Sequence, residues 1–200
     1  MDQKKQVLII HGGDVFDTYE AYLTFLRSYE LTLEGITRKR WRRTLADYLP
    51  EYEVITPEMP NDMNAKYLEW KIFFDKIVPF LQDGVTLVGH SLGGIFLAKY
   101  LSENTLLKKI ESMHLVAAPF DDESVESLGD FKLKENLENV SAQVPKIFIY
   151  QSDDDTAVLP AEALKYKKVF PEATLLTFSD RGHFRQETFP ELVENIKGNS

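Results

Sequence analysis

Short runs rich in Val, Ile and Leu alternate along this chain with longer stretches whose apolar residues return every three or four positions. The short runs read as buried strands and the longer ones as amphipathic helices. Strands are predicted at Gln6–Ile10, Tyr52–Thr56, Val85–Val88, Met113–Ala117, Lys146–Tyr150 and Thr174–Phe178. Helices are predicted at Asp17–Tyr29, Thr37–Tyr48, Ala65–Gln82, Leu92–Glu103, Ala161–Val169 and Phe189–Lys197, with a charged, weakly periodic stretch within Glu123–Asn139. In the helix at Ala65–Gln82, residues Tyr67, Trp70, Phe74, Ile77 and Leu81 share one face, as packing on a core requires.

Strands that are apolar without strict alternation need cover on both faces, which a parallel sheet flanked by helices provides. The regular alternation of strand and helix therefore predicts an α/β fold: a doubly wound, mostly parallel six-stranded sheet with helices on both faces. Right-handed crossovers that place the second strand on one side of the first and the third on the other give the order 2-1-3-4-5-6. The switch point then lies between the first and third strands, where such sheets bind their ligands.

Composition narrows the chemistry. With 200 residues, 44% of them hydrophobic, the chain fits one domain over residues 1–200, and residues 120–139 are expected to form a small lid or loop insertion. A net charge of -9 argues against nucleic acid as a partner. There is no cysteine, and the four histidines are scattered singly, so no metal and no cofactor are expected. The apolar run after "MDQKKQ" is too short for a signal-peptide core and no stretch approaches a membrane span; no membrane partner is expected, and the default location is the cytoplasm.

The chemistry concentrates at "VTLVGHSLGGIF", Val85 to Phe96, where a strand-like run passes through Gly-His-Ser-Leu-Gly-Gly into a helix-like one. A serine between glycines at such a junction is the pattern of a nucleophile elbow, a turn so tight that flanking side chains would clash. It would lift the Ser91 hydroxyl above the sheet edge at a helix N-terminus, where the backbone N–H of Leu92 can meet developing negative charge. A serine needs a base, and the base an orienting acid. Both are present downstream at strand ends: "QSDDDTAVLP" follows "KIFIY", and "SDRGHF", carrying His183, follows "TLLTF".

The stretches "LIIHGG", "LVGHSLGG", "SDDDTAVLP" and "RGHF", in that order and spanning nearly the whole chain, resemble the oxyanion loop, elbow, acid loop and histidine loop of the α/β-hydrolase superfamily. With "GGDV", "PEMPN", "LEW" and "GHF", the chain most resembles the small serine hydrolases related to retinoblastoma-binding protein nine and YdeN. It departs from their pattern in the long Phe16–Leu49 segment. The resemblance implies an α/β-hydrolase fold and a triad of Ser91, Asp155 and His183, with Asp154 as the alternative acid. Asp155 stands three residues before Val158, the spacing such proteins often show. The oxyanion hole is expected from the N–H groups of Leu92 and Gly13, with Asp14 as runner-up. Asp180 is a decoy carboxylate, His90 a packing or pocket-wall residue rather than a base, His11 a shaper of the first loop, and His114 a core or half-buried residue.

The expected activity is hydrolysis of a small-molecule ester or related acyl substrate through an acyl-enzyme. A non-catalytic binding protein on the same scaffold and an acyltransferase are the competing readings. The basic run "RKRWRR", Arg38 to Arg43, reads as an exposed helix on which Arg38 and Arg42 share a face, as do Lys39 and Arg43, with Trp41 and Leu45 on an apolar stripe. The oligomeric state is left open by the sequence.

Overall fold

Strands β1 (Lys5–Ile10), β2 (Tyr52–Ile55), β3 (Val85–His90), β4 (Ile110–Val116), β5 (Ile147–Ser152) and β6 (Thr174–Phe178) form one sheet in a computed structural model that describes residues 4–123, 127–134 and 136–198. Their order is β2-β1-β3-β4-β5-β6 and every pairing is parallel, as predicted. The chain adds β2 on one side of β1 and β3 on the other, so the C-terminal ends of β1 and β3 diverge into different loops and open a crevice between them.

Side chains alternate between two cores. Leu8, Ile10, Val85, Leu87, Met113, Leu115, Ile147 and Ile149 point into the larger one, where they meet α4 (Tyr67–Ile77), α5 (Leu92–Glu103), α6 (Glu138–Gln143) and α7 (Pro160–Val169). Val7, Ile9, Val88, Val116 and Tyr150 point the other way, onto α3 (Trp41–Tyr48) and α8 (Pro190–Lys197). Both sheet faces are thus dry, which is why the strands read as nearly continuous apolar runs. The helix between β3 and β4 is the most deeply enclosed: every residue of α5 from Leu92 to Leu101 is buried.

Helix boundaries differ from the sequence expectation where tertiary contacts intervene. The helix expected over Ala65–Gln82 ends at Ile77 and tightens into a 3-10 turn at Val78–Phe80, because Pro79 has no N–H to continue the ladder. The single helix expected at Thr37–Tyr48 is two, α2 (Leu33–Thr37) and α3, separated by extended backbone at Arg38 and Arg40. Arg38 and Arg42, and Lys39 and Arg43, therefore do not share a helix face. The cause is Trp41, whose backbone N–H donates to Gln186 O and whose indole N–H donates to Phe184 O, both at 2.9 Å, so α3 starts where the 184–186 segment holds it. Trp41 and Leu45 are both buried, as their shared stripe required. Within the stretch 120–139 lie a 3-10 turn at Gly129–Phe131 and the start of α6; residues 124–126 and 135 lie outside the described residues.

Candidate active site

The sharp turn expected after β3 is present. Ser91 has φ 53° and ψ -125°, a conformation that costs an L-residue on the order of 1–3 kcal/mol and persists only where its surroundings impose it. The surroundings are two glycines: a Cβ on Gly89 would lie 2.5 Å from Gly93 O, and one on Gly93 would lie 2.5 Å from His11 O. The Ser91 N–H donates to Val116 O at 2.8 Å, and Ser91 O accepts from the Gly94 N–H at 2.8 Å, so the turn is bonded on both sides. Ser91 caps the N-terminus of α5 while its own side chain makes no capping bond, which leaves Oγ available above the sheet.

The loop after β5 brings Asp155, not Asp154, to His183. Asp155 Oδ2 accepts from His183 Nδ1 at 2.9 Å, while Oδ1 accepts the N–H groups of Ala157 (2.9 Å) and Val158 (3.1 Å). The carboxylate is 3% exposed. Burial raises its pKa, but the bonds from His183, Val158 and Ala157 outweigh that and hold it below the ordinary carboxylate range. A proton on Nδ1 facing Asp155 leaves Nε2 of His183 as the basic nitrogen. Asp154 does different work: its Oδ1 accepts from Ser152 Oγ and from the Gly182 N–H at 2.9 Å, tying the loop after β5 to the loop that carries His183. Asp180 pairs with Arg181 at 3.5 Å and makes no bond to His183.

At the end of β1, the Asp14 N–H donates to Asp62 O at 2.8 Å, while Gly13 lines the cleft. His11, 4% exposed, shapes the loop: its Nε2 accepts the Met59 N–H at 2.7 Å, so the proton resides on Nδ1, which donates to Gly12 O at 2.6 Å. Gly13, Ser91 and Leu92 line one cleft with Pro119, Ser127, Leu128, Ala157 and Val158. Its free volume is about 10 Å³, room for roughly one water molecule. Among the described residues Ser91 Oγ and His183 make no hydrogen bond to each other.

Two features escaped the sequence reading. His90, expected to pack or to line the pocket wall, donates Nε2–H to the carbonyl of His183 at 3.0 Å. Glu162, 1% exposed, accepts the N–H groups of Phe120 (2.7 Å) and Asp121 (3.0 Å) and so fixes the segment that follows Pro119. Asp121, Glu123 and Glu162 gather their carboxylates closely enough to suggest a metal, but the Lys165 ammonium already sits among them at 2.6, 2.6 and 2.9 Å. His114 is bonded to none of Ser91, Asp155 and His183 and is buried between Ser112 and Tyr150.

A family model described as serine hydrolase matches residues 33–192. The chain is 26% identical over 160 residues to serine hydrolase RBBP9 of Rattus norvegicus, a match that covers 78% of this chain and 83% of that protein. Among solved structures, the ydeN gene product of B. subtilis superposes with a TM-score of 0.73 at 19% identity, covering 97% of both chains. A YdeN-like hydrolase from Pectobacterium atrosepticum superposes with a TM-score of 0.63 at 12% identity, covering 97% of this chain and 90% of that one. Among the described residues no helix is long and apolar enough to cross a membrane.

Proposed function

The chain belongs to the serine hydrolase family, and from that premise we propose that it hydrolyses carboxyl esters, or closely related acyl substrates of small molecules, with Ser91, His183 and Asp155 as its triad. The observation that carries this reading is the Asp155–His183 hydrogen bond of 2.9 Å, which joins the loops after β5 and β6 at the same sheet edge as the strained Ser91 turn.

The chemistry follows from the proton positions. Ser91 Oγ attacks the acyl carbon as its proton passes to His183 Nε2, and the carbonyl π electrons move onto oxygen. That oxyanion is met by the N–H groups of Leu92 and Gly13, and the loss of one such donor typically costs about 3 kcal/mol of transition-state stabilisation. When the tetrahedral intermediate collapses, the carbon–oxygen bond to the alcohol breaks and His183 Nε2–H protonates the departing oxygen. Water then loses a proton to Nε2 and attacks the acyl carbon, and the proton returns to Ser91 Oγ as the acid leaves. Asp155 keeps the imidazole in the required tautomer and stabilises the imidazolium. Esters are the favoured class because an alcohol leaves more readily than an amine.

The test is intact-mass analysis after incubation with a fluorophosphonate probe, alongside turnover of a p-nitrophenyl acyl ester. One adduct is expected on the unsubstituted protein, none on Ser91→Ala, and greatly slowed labelling of His183→Ala. A folded protein that takes up no probe would overturn the reading.

A further inference from the structure

The basic run that interrupts an otherwise acidic chain lies beside the His183 loop. Trp41 bonds the carbonyls of Phe184 and Gln186 and packs its ring edge-on to His90 at 6.0 Å. Arg40 and Arg42 flank Trp41 in sequence, and Arg185 lies between the two residues whose carbonyls Trp41 holds, so Trp41 brings all three arginines to the segment that carries His183, with Arg40 close enough to feel both Arg185 and Arg42. Among the described residues none of Arg38, Lys39, Arg40, Arg42, Arg43 and Arg185 makes a side-chain hydrogen bond or ion pair. Other basic side chains among the described residues, such as Lys5, Arg27, Lys76, Lys109 and Lys168, are unpaired as well, but those are exposed, whereas Arg40 and Arg42 are half-buried. Glu58 and Asp62 are the acids that face Arg42, and neither forms an ion pair with it.

The arrangement works against stability. Arg40 and Arg42 are half-buried, yet burial and the neighbouring cations, Arg185 for Arg40 and Arg40 for Arg42, disfavour their charged forms. Arg40 is the N-cap of α3 and Arg42 lies in its first turn, which contains no acidic residue although negative charge is the one favoured there. Departures from local preference of this kind concentrate at functional sites. An anion seated among the guanidiniums relieves the repulsion and satisfies their donors.

We propose that Arg40, Arg42 and Arg185 form a binding site for an oxyanion, a carboxylate or phosphate, carried by the alcohol portion of the ester. This rests on the Ser91 reading above. The position selects the alcohol side: His183 must protonate the departing oxygen, so the leaving group lies toward His183, beside the Phe184 and Gln186 carbonyls to which Trp41 is bonded.

The experiment compares kcat/KM for butanoate esters of propanol, choline, 3-hydroxypropanoate and glycerol 3-phosphate, and for monopropyl succinate, whose anion lies on the acyl side. The esters of the anionic alcohols are expected to exceed the propyl ester by roughly tenfold, the choline ester to fall below it, and added salt to narrow the gap. Arg40→Gln, Arg42→Gln and Arg185→Gln should each lower the ratio of anionic to neutral ester, with circular dichroism confirming the fold. Equal rates across the alcohols, a preference that survives the triple variant, or a preference for the succinate instead would overturn the proposal. Absence of a fluorophosphonate adduct overturns the Ser91 reading alone. Calorimetric titration with inorganic phosphate still reads the site in that case: binding lost in the triple variant supports it, and no binding refutes it.

Discussion

The imidazole of His90 donates its Nε2–H to the backbone carbonyl of His183 at 3.0 Å, with the two rings 4.9 Å apart. The residue before Ser91 thus positions the loop that carries the proposed base. Burial, together with the nearby His183 and Arg42, holds the pKa of His90 well below the usual histidine range, so it stays neutral and its role as donor is constant with pH. His90→Ala should lower kcat by roughly 10- to 100-fold with little change in KM, because small misplacements of a reacting group are costly. His90→Gln, which retains a donor, should recover part of the loss. Equal loss in both variants would reduce His90 to a packing residue.

Asp154 and Asp155 are adjacent but bonded differently, and their amide variants should separate. Asp155→Asn removes the carboxylate that fixes the His183 tautomer, and kcat should fall about 10⁴-fold. Asp154→Asn keeps an oxygen for the Gly182 N–H, and the fall should stay under about tenfold. Single-turnover acylation of both variants checks this, and the opposite ranking would make Asp154 the acid.

The sheet order and the elbow were readable because each rests on local pattern: apolar runs of strand length, and glycines at positions where a Cβ would strike backbone. The choice of Asp155 over Asp154 rested on the spacing to Val158 alone, since both occupy one strand end and the three-dimensional path of the 180–183 loop decides which reaches His183. The break between α2 and α3 was hidden. It depends on Trp41 meeting Phe184 and Gln186, more than 140 residues away in sequence. The role of Glu162 had a faint signal, a carboxylate on the inner face of a helix, but the backbone donors it satisfies belong to a loop without pattern.

His114 should make stability depend on acid. It is fully buried, stacked on Phe148 at 4.7 Å, and bonded to Ser112 Oγ (3.0 Å) and Tyr150 OH (2.9 Å). Burial pushes its pKa down to about 3. The unfolded chain takes up this proton below about pH 6.5 while the native state does not, so stability is complete above that value. It falls by about 1.4 kcal/mol per pH unit until the native group titrates near pH 3. Urea unfolding of the unsubstituted protein and His114→Phe between pH 7 and 4 checks this: the variant should be less stable at pH 7 yet lose stability less steeply. Parallel curves would show that His114 is protonated in the native state.

Glu162 tests whether the wall of the cleft is set from below. Its Oε2 holds the Phe120 and Asp121 N–H groups, its Oε1 pairs with Lys165 at 2.9 Å, and Tyr166, one turn on, donates its hydroxyl to Pro119 O at 2.8 Å. Pro119 lines the cleft over Ser91, so α7 fixes that wall through buried polar bonds rather than through apolar packing alone. Glu162→Ala strands two backbone donors and should cost about 2–3 kcal/mol, lowering the melting temperature by roughly 5–10 °C. Because the wall shapes substrate entry and not the proton transfers at His183, KM should rise several-fold while kcat changes little. Glu162→Gln preserves an acceptor for both N–H groups and should restore KM even though the ion pair with Lys165 is lost. A variant in which kcat falls and KM holds would place Glu162 in service of the triad instead.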